Sequence, residues 1–196
     1  MKNKEISLNT KKDFAQALKK LLKKEPLDAI TVKQLLTLTN KSRPTFYYHF
    51  QDIPDLIKWT VKTEIIDLLN KSQGYDNWDN DIYNIFQYFY ENPSLGKAFY
   101  ENLDIKQFDT IFRKPQINVL FGYIDEIISK ENLQVRKEDR NFIAHFFTGG
   151  FTEIVLDWLG NGQQESPKEM KKQFCRTQKN IIVHSLKVAS KDKNKY

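Results

Sequence analysis

Residues 31–50, TVKQLLTLTNKSRPTFYYHF, restrict this chain to few local structures. They predict two short helices joined by a sharp turn. Thr31 is a good N-cap for the first helix, because its hydroxyl can accept a bond from a backbone N–H one turn later. Asn40 tolerates the left-handed backbone that such a corner needs. The expected buried side of the first helix is Leu35, Leu36 and Leu38.

The second helix is predicted to begin after Ser42, which is a suitable N-cap. Pro44 then lies in its first turn, where a missing N–H does no harm. Phe46 and Phe50 are four residues apart and are expected to point into the core together. This arrangement leaves five side chains largely outside: Arg43, Thr45, Tyr47, Tyr48 and His49.

The exposed groups of this helix-turn-helix suit double-stranded DNA. A guanidinium can bind guanine with two hydrogen bonds, so Arg43 is the expected base reader, with Thr45 and Tyr48 as further edge or methyl contacts. Phosphate contacts that set the register are expected from Thr31, Lys33, Tyr47 and His49. Ser42 and Pro44 complete the predicted DNA-binding set.

The charge distribution agrees with a polyanionic partner. Residues 1–50 contain eleven basic and four acidic residues, whereas residues 51–196 contain 20 basic and 21 acidic ones. The excess positive charge therefore lies on the segment with the helix-turn-helix, where it would release counterions on binding. A run of lysines alone usually means only a solvated helix face; joined to the motif, it favours DNA.

A family resemblance rests on the same residues. The runs Ile30-Thr-Val, Asn40-Lys-Ser-Arg-Pro-Thr-Phe-Tyr-Tyr-His-Phe50 and Asp55-Leu-Ile57 resemble the N-terminal domain of TetR/AcrR-type transcriptional regulators. The chain departs from the family in two places: Asn40 replaces the usual glycine, and Lys41 replaces a small apolar residue. Neither change removes a donor from the second helix.

The resemblance implies an all-α homodimer that binds a near-palindromic operator, most often as a repressor. It implies a helix-turn-helix domain at 1–53, a helical dimerisation and effector domain at 54–190, and a polar tail at 191–196. Phe146-Phe-Thr-Gly-Gly-Phe151 and Trp158-Leu-Gly-Asn-Gly162 resemble the C-terminal domain of a subset that includes regulators of dihydroxyacetone kinase genes.

Helical periodicity extends along the whole chain. The predicted helices, besides the two of the motif, are 10–24, one from Pro54 to 69, 79–91, 93–102, one from 114, 138–159 and 167–189. Ser72–Asn77, polar and with Gly74, is the best sequence boundary between domains. The apolar faces of the last two helices suit a four-helix dimer interface formed by Phe147, Gly150, Phe151, Ile154, Phe174, Ile181 and Ile182. Gly149 and Gly150 fit either close approach of a second subunit or a local feature within one.

An effector pocket is a further expectation for the C-terminal part. Aromatic residues at helical spacing are more often core than pocket, although pockets share that composition. The candidate lining residues are Tyr83, Phe86, Tyr90, Phe99, Phe112, Tyr123 and Trp158. The effector itself is unknown: a small molecule is one alternative, and a protein partner of a co-activator type is the other. A large dry pocket would favour the first, and an exposed apolar patch the second.

Other classes of function find little support in the sequence. Phosphate loops, nucleophile elbows and metal-ligand spacings are absent, so we expect no enzyme activity, no cofactor and no metal. His145 is expected in the core. A single cysteine, Cys175, fits a reducing cytoplasm. No apolar run is long enough for a membrane span, and no secretory signal follows the basic N-terminus.

Overall fold

The computed structural model describes residues 2–69, 71, 77–102 and 105–191, which form only helices, turns and connecting segments. The expected all-α fold is therefore confirmed. The α-helices are α1 (Lys2–Leu22), α2 (Val32–Thr39), α3 (Arg43–His49), α4 (Ile53–Leu69), α5 (Trp78–Glu91), α6 (Pro93–Glu101), α7 (Ile105–Phe108), α8 (Lys114–Lys130), α9 (Lys137–Gly160) and α10 (Pro167–Lys191). A short 3₁₀ turn, Leu27–Ala29, precedes α2, and a π-helical turn, Asp109–Arg113, joins α7 to α8.

The helix-turn-helix forms as its capping residues dictate. Thr31 and Gln34 build a capping box: the Gln34 N–H donates to the Thr31 hydroxyl, and the Thr31 N–H donates to the Gln34 side chain at 2.7 Å. Asn40 ends α2 in the left-handed conformation, at φ 50°. Ser42 caps α3 by accepting the Thr45 N–H at 3.3 Å. The predicted N-caps and corner are confirmed.

Aromatic packing fixes how α3 is rotated about its own axis. Phe46 and Phe50 are 0% and 2% exposed, and the ring of Phe14 on α1 lies edge-on to both, at centroid distances of 5.3 and 6.3 Å. Trp59 on α4 closes the cluster against Phe50 at 5.9 Å. With this face buried, the remaining side chains of α3 are directed away from the core.

The C-terminal helices pack around α5, α9 and α10. α10 lies against α5, α8 and α9, while α6 lies between α4 and α9. Phe86 of α5 is fully buried and meets the rings of Phe151 and Trp158 of α9 at 5.8 and 5.1 Å. α4 contacts α1 at one side and α5, α6 and α8 at the other, so it connects the helix-turn-helix to the rest of the protein.

Several details differ from the sequence predictions. α1 begins at Lys2 and not at Thr10. Thr10 lies within the helix, where its hydroxyl donates to the Ile6 carbonyl at 3.0 Å. Leu38, expected on the buried side of α2, is 52% exposed. Leu35 is the residue of α2 that is fully buried. Residues 105–113, for which the sequence predicts no helix, are helical. His145, which was expected in the core, is exposed. The predicted domain boundary at 72–77 lies outside the described residues except for Asn77, as does the tail beyond Lys191.

Membrane-spanning helices and metal-binding clusters are both absent from the described residues. Within these ranges no helix combines the length and apolarity that a membrane crossing requires. In the same ranges, no group of three or more His, Cys, Asp or Glu side chains is arranged to hold a metal ion.

The left-handed Asn40 gives a prediction about stability. Asn40→Ala should lower the free energy of unfolding by about 1 kcal/mol. In the left-handed conformation the Cβ crowds the following carbonyl, and alanine lacks the short polar side chain whose local hydrogen bonding offsets this cost in asparagine. Asn40→Gly should stay within about 0.5 kcal/mol of the wild type, since glycine adopts this conformation without strain. Urea unfolding followed by circular dichroism measures both. Asn118→Ala, on an exposed helical position of α8, is the control; equal effects of Ala and Gly at position 40 would contradict the assignment.

Candidate DNA-binding surface

The outer face of α3 carries its largest exposed side chains. Tyr48 is 83% exposed and Tyr47 is 47% exposed, although both are aromatic. Arg43, at the start of the helix, is also exposed, and Thr45 is half-buried. Two aromatic rings with hydroxyl groups are therefore accessible on one face of α3.

Arg43 and Tyr47 form a pair on this face. The guanidinium carbon lies 5.6 Å from the centroid of the Tyr47 ring, and Arg43 Nη2 is 3.5 Å from the Tyr47 hydroxyl. One helical turn separates them, so the ring holds the arginine along the helix by a cation–π contact. The Ser42 and Thr45 hydroxyls share a hydrogen bond of 2.8 Å beside this pair. The surface thus combines a guanidinium with three hydroxyls.

His49 closes the far end of α3 next to a lysine. Partial burial, and secondarily the charge of Lys11, lower the pKa of His49 below its usual value. The imidazole is therefore neutral at pH 7, and it would offer a phosphate a single N–H donor instead of a positive charge. The Lys11 ammonium itself lies 5.7 Å from the ring centroids of both Phe50 and Trp59.

The basic residues divide into paired and exposed groups. Lys41, in the turn between α2 and α3, lies 3.3 Å from Asp13 of α1, and Lys19 of α1 lies 2.9 Å from Glu64 of α4, so both are paired with carboxylates. In residues 4–50, whose side-chain exposure is described, the exposed lysines are Lys4, Lys12, Lys20, Lys23, Lys24 and Lys33. Thr31 is exposed as well, with its hydroxyl engaged in the capping box.

Sequence reasoning missed one exposed group near this surface. Leu38, expected in the core, places an apolar side chain at the outer side of α2. Three leucines in four residues allow more than one buried face, so the spacing alone did not separate Leu38 from Leu35.

The candidate pocket residues do not line one common cavity within the part of the chain that the structure describes. Phe86, Phe99 and Phe112 are fully buried and fill the core, and Trp158 is 2% exposed, with its indole N–H donating to the Glu165 carbonyl. Tyr90 is 48% exposed, so it points to solvent. Tyr83 is half-buried beneath Lys171. Tyr123 does border a small cavity between α5, α8 and α9.

The candidate dimer residues also fall into two groups. Phe147, Phe151, Phe174 and Ile182 are 6% exposed or less, because the protomer's own core already covers them. Ile154 is half-buried, whereas Gly150 and Ile181 are exposed. These four side chains therefore belong mainly to the core of the chain itself, although Phe147 also lines the groove between α9 and α10.

An exposed apolar surface lies on another face of α9 and α10. Phe142 and Phe146 are 72% and 65% exposed, with rings stacked at 6.4 Å on α9, and Val188 of α10 is 46% exposed. With Ile181 they border a groove of about 550 Å³ between α9 and α10. The spacing of Phe142 and Phe146, one turn apart and followed by two glycines, is the sequence signal for this surface.

Comparisons with known proteins agree with this architecture. Residues 76–180 match the family model of a TetR transcriptional regulator C-terminal region. The chain is 25% identical over 162 residues to the HTH-type dhaKLM operon transcriptional activator DhaS of Lactococcus lactis subsp. lactis, covering 82% of this chain and 84% of the relative.

Two solved structures show the same fold. A dihydroxyacetone kinase operon activator DhaS superimposes with a TM-score of 0.71 at 21% identity, covering 92% of this chain and 98% of that one. A TetR transcriptional regulator from Rhodococcus sp. RHA1 gives a TM-score of 0.58 at 11% identity, with 94% and 98% covered. These relatives are named as regulators of transcription and not as enzymes. Because the family model spans more than half of the sequence, the chain belongs to the TetR family of transcriptional regulators.

Proposed function

We propose that this protein is a homodimeric, sequence-specific DNA-binding regulator whose C-terminal part responds to an effector. The observation that carries the proposal is the outer face of α3, where Arg43, Tyr47 and Tyr48 are exposed on a helix that aromatic packing holds in place. A DNA partner would place the protein in the cytoplasm with the chromosome. The proposed division is a DNA-binding domain at 1–53 and an effector and dimerisation domain at 54–190.

In the proposed complex α3 enters the major groove. Arg43 would leave the Tyr47 ring and bind guanine with two hydrogen bonds, because the guanidinium matches the two acceptors of that base edge. Thr45 and Tyr48 would contact neighbouring base edges. Backbone phosphates would be bound by Thr31, Lys33, Tyr47 and His49, with Ser42 and Pro44 at the helix start closest to the strand.

Dimerisation would use the exposed apolar groove of α9 and α10. Four large apolar side chains in one patch are unusual on a monomer surface, and Phe142, Phe146, Ile181 and Val188 form such a patch here. A Cβ added at Gly149 or Gly150 would meet no atom within 4 Å, so nothing inside one protomer requires glycine there. This space supports close approach of a second subunit, the first of the two alternatives for these glycines.

Two directions of control over transcription are candidates, repression and activation. Repression is the expectation that the general family resemblance gives. The matched relative from L. lactis is named as an operon activator, which favours activation and, with it, an effector that is a protein partner. Transcription from a reporter that carries the bound DNA, measured with and without the gene for this protein, distinguishes the two: a rise on deletion indicates repression, and a fall indicates activation.

Arg43 provides the test of DNA reading. Arg43→Ala should remove about 1–3 kcal/mol of discrimination at one base-pair position, because a bidentate contact is lost. Tyr47→Phe keeps the ring beneath Arg43 and removes only a hydroxyl, so it should weaken binding to all sequences alike. Fluorescence anisotropy on a selected duplex and its single-base variants, at fixed salt, measures both.

The outcomes for this pair are distinct. Equal losses for Arg43→Ala on selected and random duplexes would contradict base reading by Arg43. An altered base preference in Tyr47→Phe would contradict the phosphate role of Tyr47.

The dimer surface gives a second prediction. Phe146→Glu should remove two phenyl contacts per dimer, about 4 kcal/mol in total, which is roughly a thousandfold in the dissociation constant. Sedimentation equilibrium should then report the 23.3 kDa chain mass at concentrations where the wild type reports twice that value. Tyr90→Glu, which changes an exposed aromatic residue on α5, is the matched control and should remain dimeric. A dimer that survives Phe146→Glu would show that the interface lies elsewhere.

A further inference from the structure

A half-buried ion pair joins α1 to α4 where the helix-turn-helix segment meets the C-terminal helices. The Lys19 ammonium donates to both oxygens of the Glu64 carboxylate, at 3.2 and 2.9 Å. The two side chains are 26% and 32% exposed, so water screens their attraction less than it screens that of an exposed pair. Hydrogen bonds between an ammonium and a carboxylate are charge-assisted and directional, so the pair favours one arrangement of the two helices.

A third helix contacts the same ion pair. Tyr88 of α5 is 9% exposed, and the Lys19 ammonium lies 5.7 Å from the centroid of its ring. A cation over the face of an aromatic ring is attracted to it. One side chain of α1 is therefore bound to two helices of the C-terminal part.

Apolar packing does not by itself fix the tilt of α1 against these helices. The hydrophobic effect is non-directional, and packed helices can slide by small amounts. An open cleft of about 200 Å³ lies between the end of α1 at Leu22 and the junction of α5 with α6 at Asn92, and Lys19 borders it. The cleft gives this end of α1 room to move, and the ion pair beside it restricts that movement.

The tilt of α1 determines where the reading helix α3 lies. Phe14 of α1 packs on Phe46 and Phe50, so α1 and α3 move together. Lys19 follows Phe14 by five residues on the same helix, about 7.5 Å along its axis. By holding α1, the Glu64 carboxylate therefore holds the three-helix head, α1 to α3, in one orientation relative to the C-terminal helices.

We propose that the Lys19–Glu64 pair is a positioning contact that sets the separation of the two heads in the dimer, and hence the half-site spacing that the dimer accepts. Both side chains would act through α1 and not by touching DNA. The inference rests on the proposed function and adds a determinant of operator spacing that lies outside α3. One inserted base pair moves the half-sites apart by about 3.4 Å and rotates them by about 35° around the duplex axis, which two fixed heads follow poorly.

Operator spacing provides the test. The probes are a duplex selected from random DNA, the same duplex with one A·T base pair inserted between its half-sites, and a duplex with one half-site scrambled. Fluorescence anisotropy of the full-length protein at fixed salt gives the spacing penalty, which is the ratio of the dissociation constants for the inserted and the selected duplex.

Glu64→Gln should lower the spacing penalty about threefold, the effect of one half-buried ion pair, because the released head can follow the displaced half-site. Its affinity for the single half-site should stay within about twofold of the wild type, since a charge distant from DNA is screened. A merely structural role would weaken binding to all three duplexes in proportion and would leave the ratio unchanged.

Two further variants separate positioning from charge. Lys19→Glu combined with Glu64→Lys restores an ion pair at the wild-type net charge, so the penalty should return to within about 1.5-fold of the wild-type value. Glu101→Gln removes an equal charge from an exposed pair inside α6, where Lys97 lies 3.8 Å away, and should leave the penalty unchanged.

Two results would overturn the inference. One is a spacing penalty in Glu64→Gln equal to that of the wild type. The other is a charge-reversed double variant that binds the single half-site like the wild type but keeps the lowered penalty. Both results leave DNA reading intact, whereas a wild type without preference for the selected duplex would overturn the proposed function and this inference with it.

Discussion

The contact of Phe14 with Phe46 and Phe50 is the interaction on which the proposed DNA-binding surface depends. Burying Phe46 of this seven-residue helix together with Phe50 at its C-cap leaves α3 a single rotation about its axis. A helix this short has little stability of its own, so the packing and the Ser42 cap hold it in place. The outward direction of Arg43 and Tyr48 follows from what is buried on the opposite side.

The same aromatic cluster links the proposed DNA-binding surface of α3 to the rest of the protein. Trp59 of α4 packs on Phe50, and the Lys19–Glu64 ion pair joins α1 to α4 about two turns farther along. Tyr88 of α5 lies beside this pair, where burial and the nearby Glu64 charge raise the pKa of its phenol. Such a half-buried ion pair contributes modestly to stability, but it fixes the orientation of α1 against α4. Two contacts, Trp59 with Phe50 and Lys19 with Glu64, therefore link α4 to the helix-turn-helix segment and to α1.

Much of the fold was predictable because its signals are local. Capping residues, proline positions and 3.6-residue periodicity gave the helix-turn-helix and the bounds of most C-terminal helices within a few residues. The errors arose where tertiary contacts decide. The first helix was expected from Thr10 but begins at Lys2, and Leu38 could not be separated from Leu35 by spacing. The burial of Phe147 and Phe151 depends on contacts between helices that are distant in sequence.

The most direct test of the central claim is selection of bound fragments from random duplex DNA by the full-length protein. The account predicts enrichment of a near-palindrome whose half-sites lie about one helical turn apart, because two α3 helices would read one face of the duplex. Enrichment of no sequence, or of a single unpaired half-site, would contradict a dimer that reads DNA through α3.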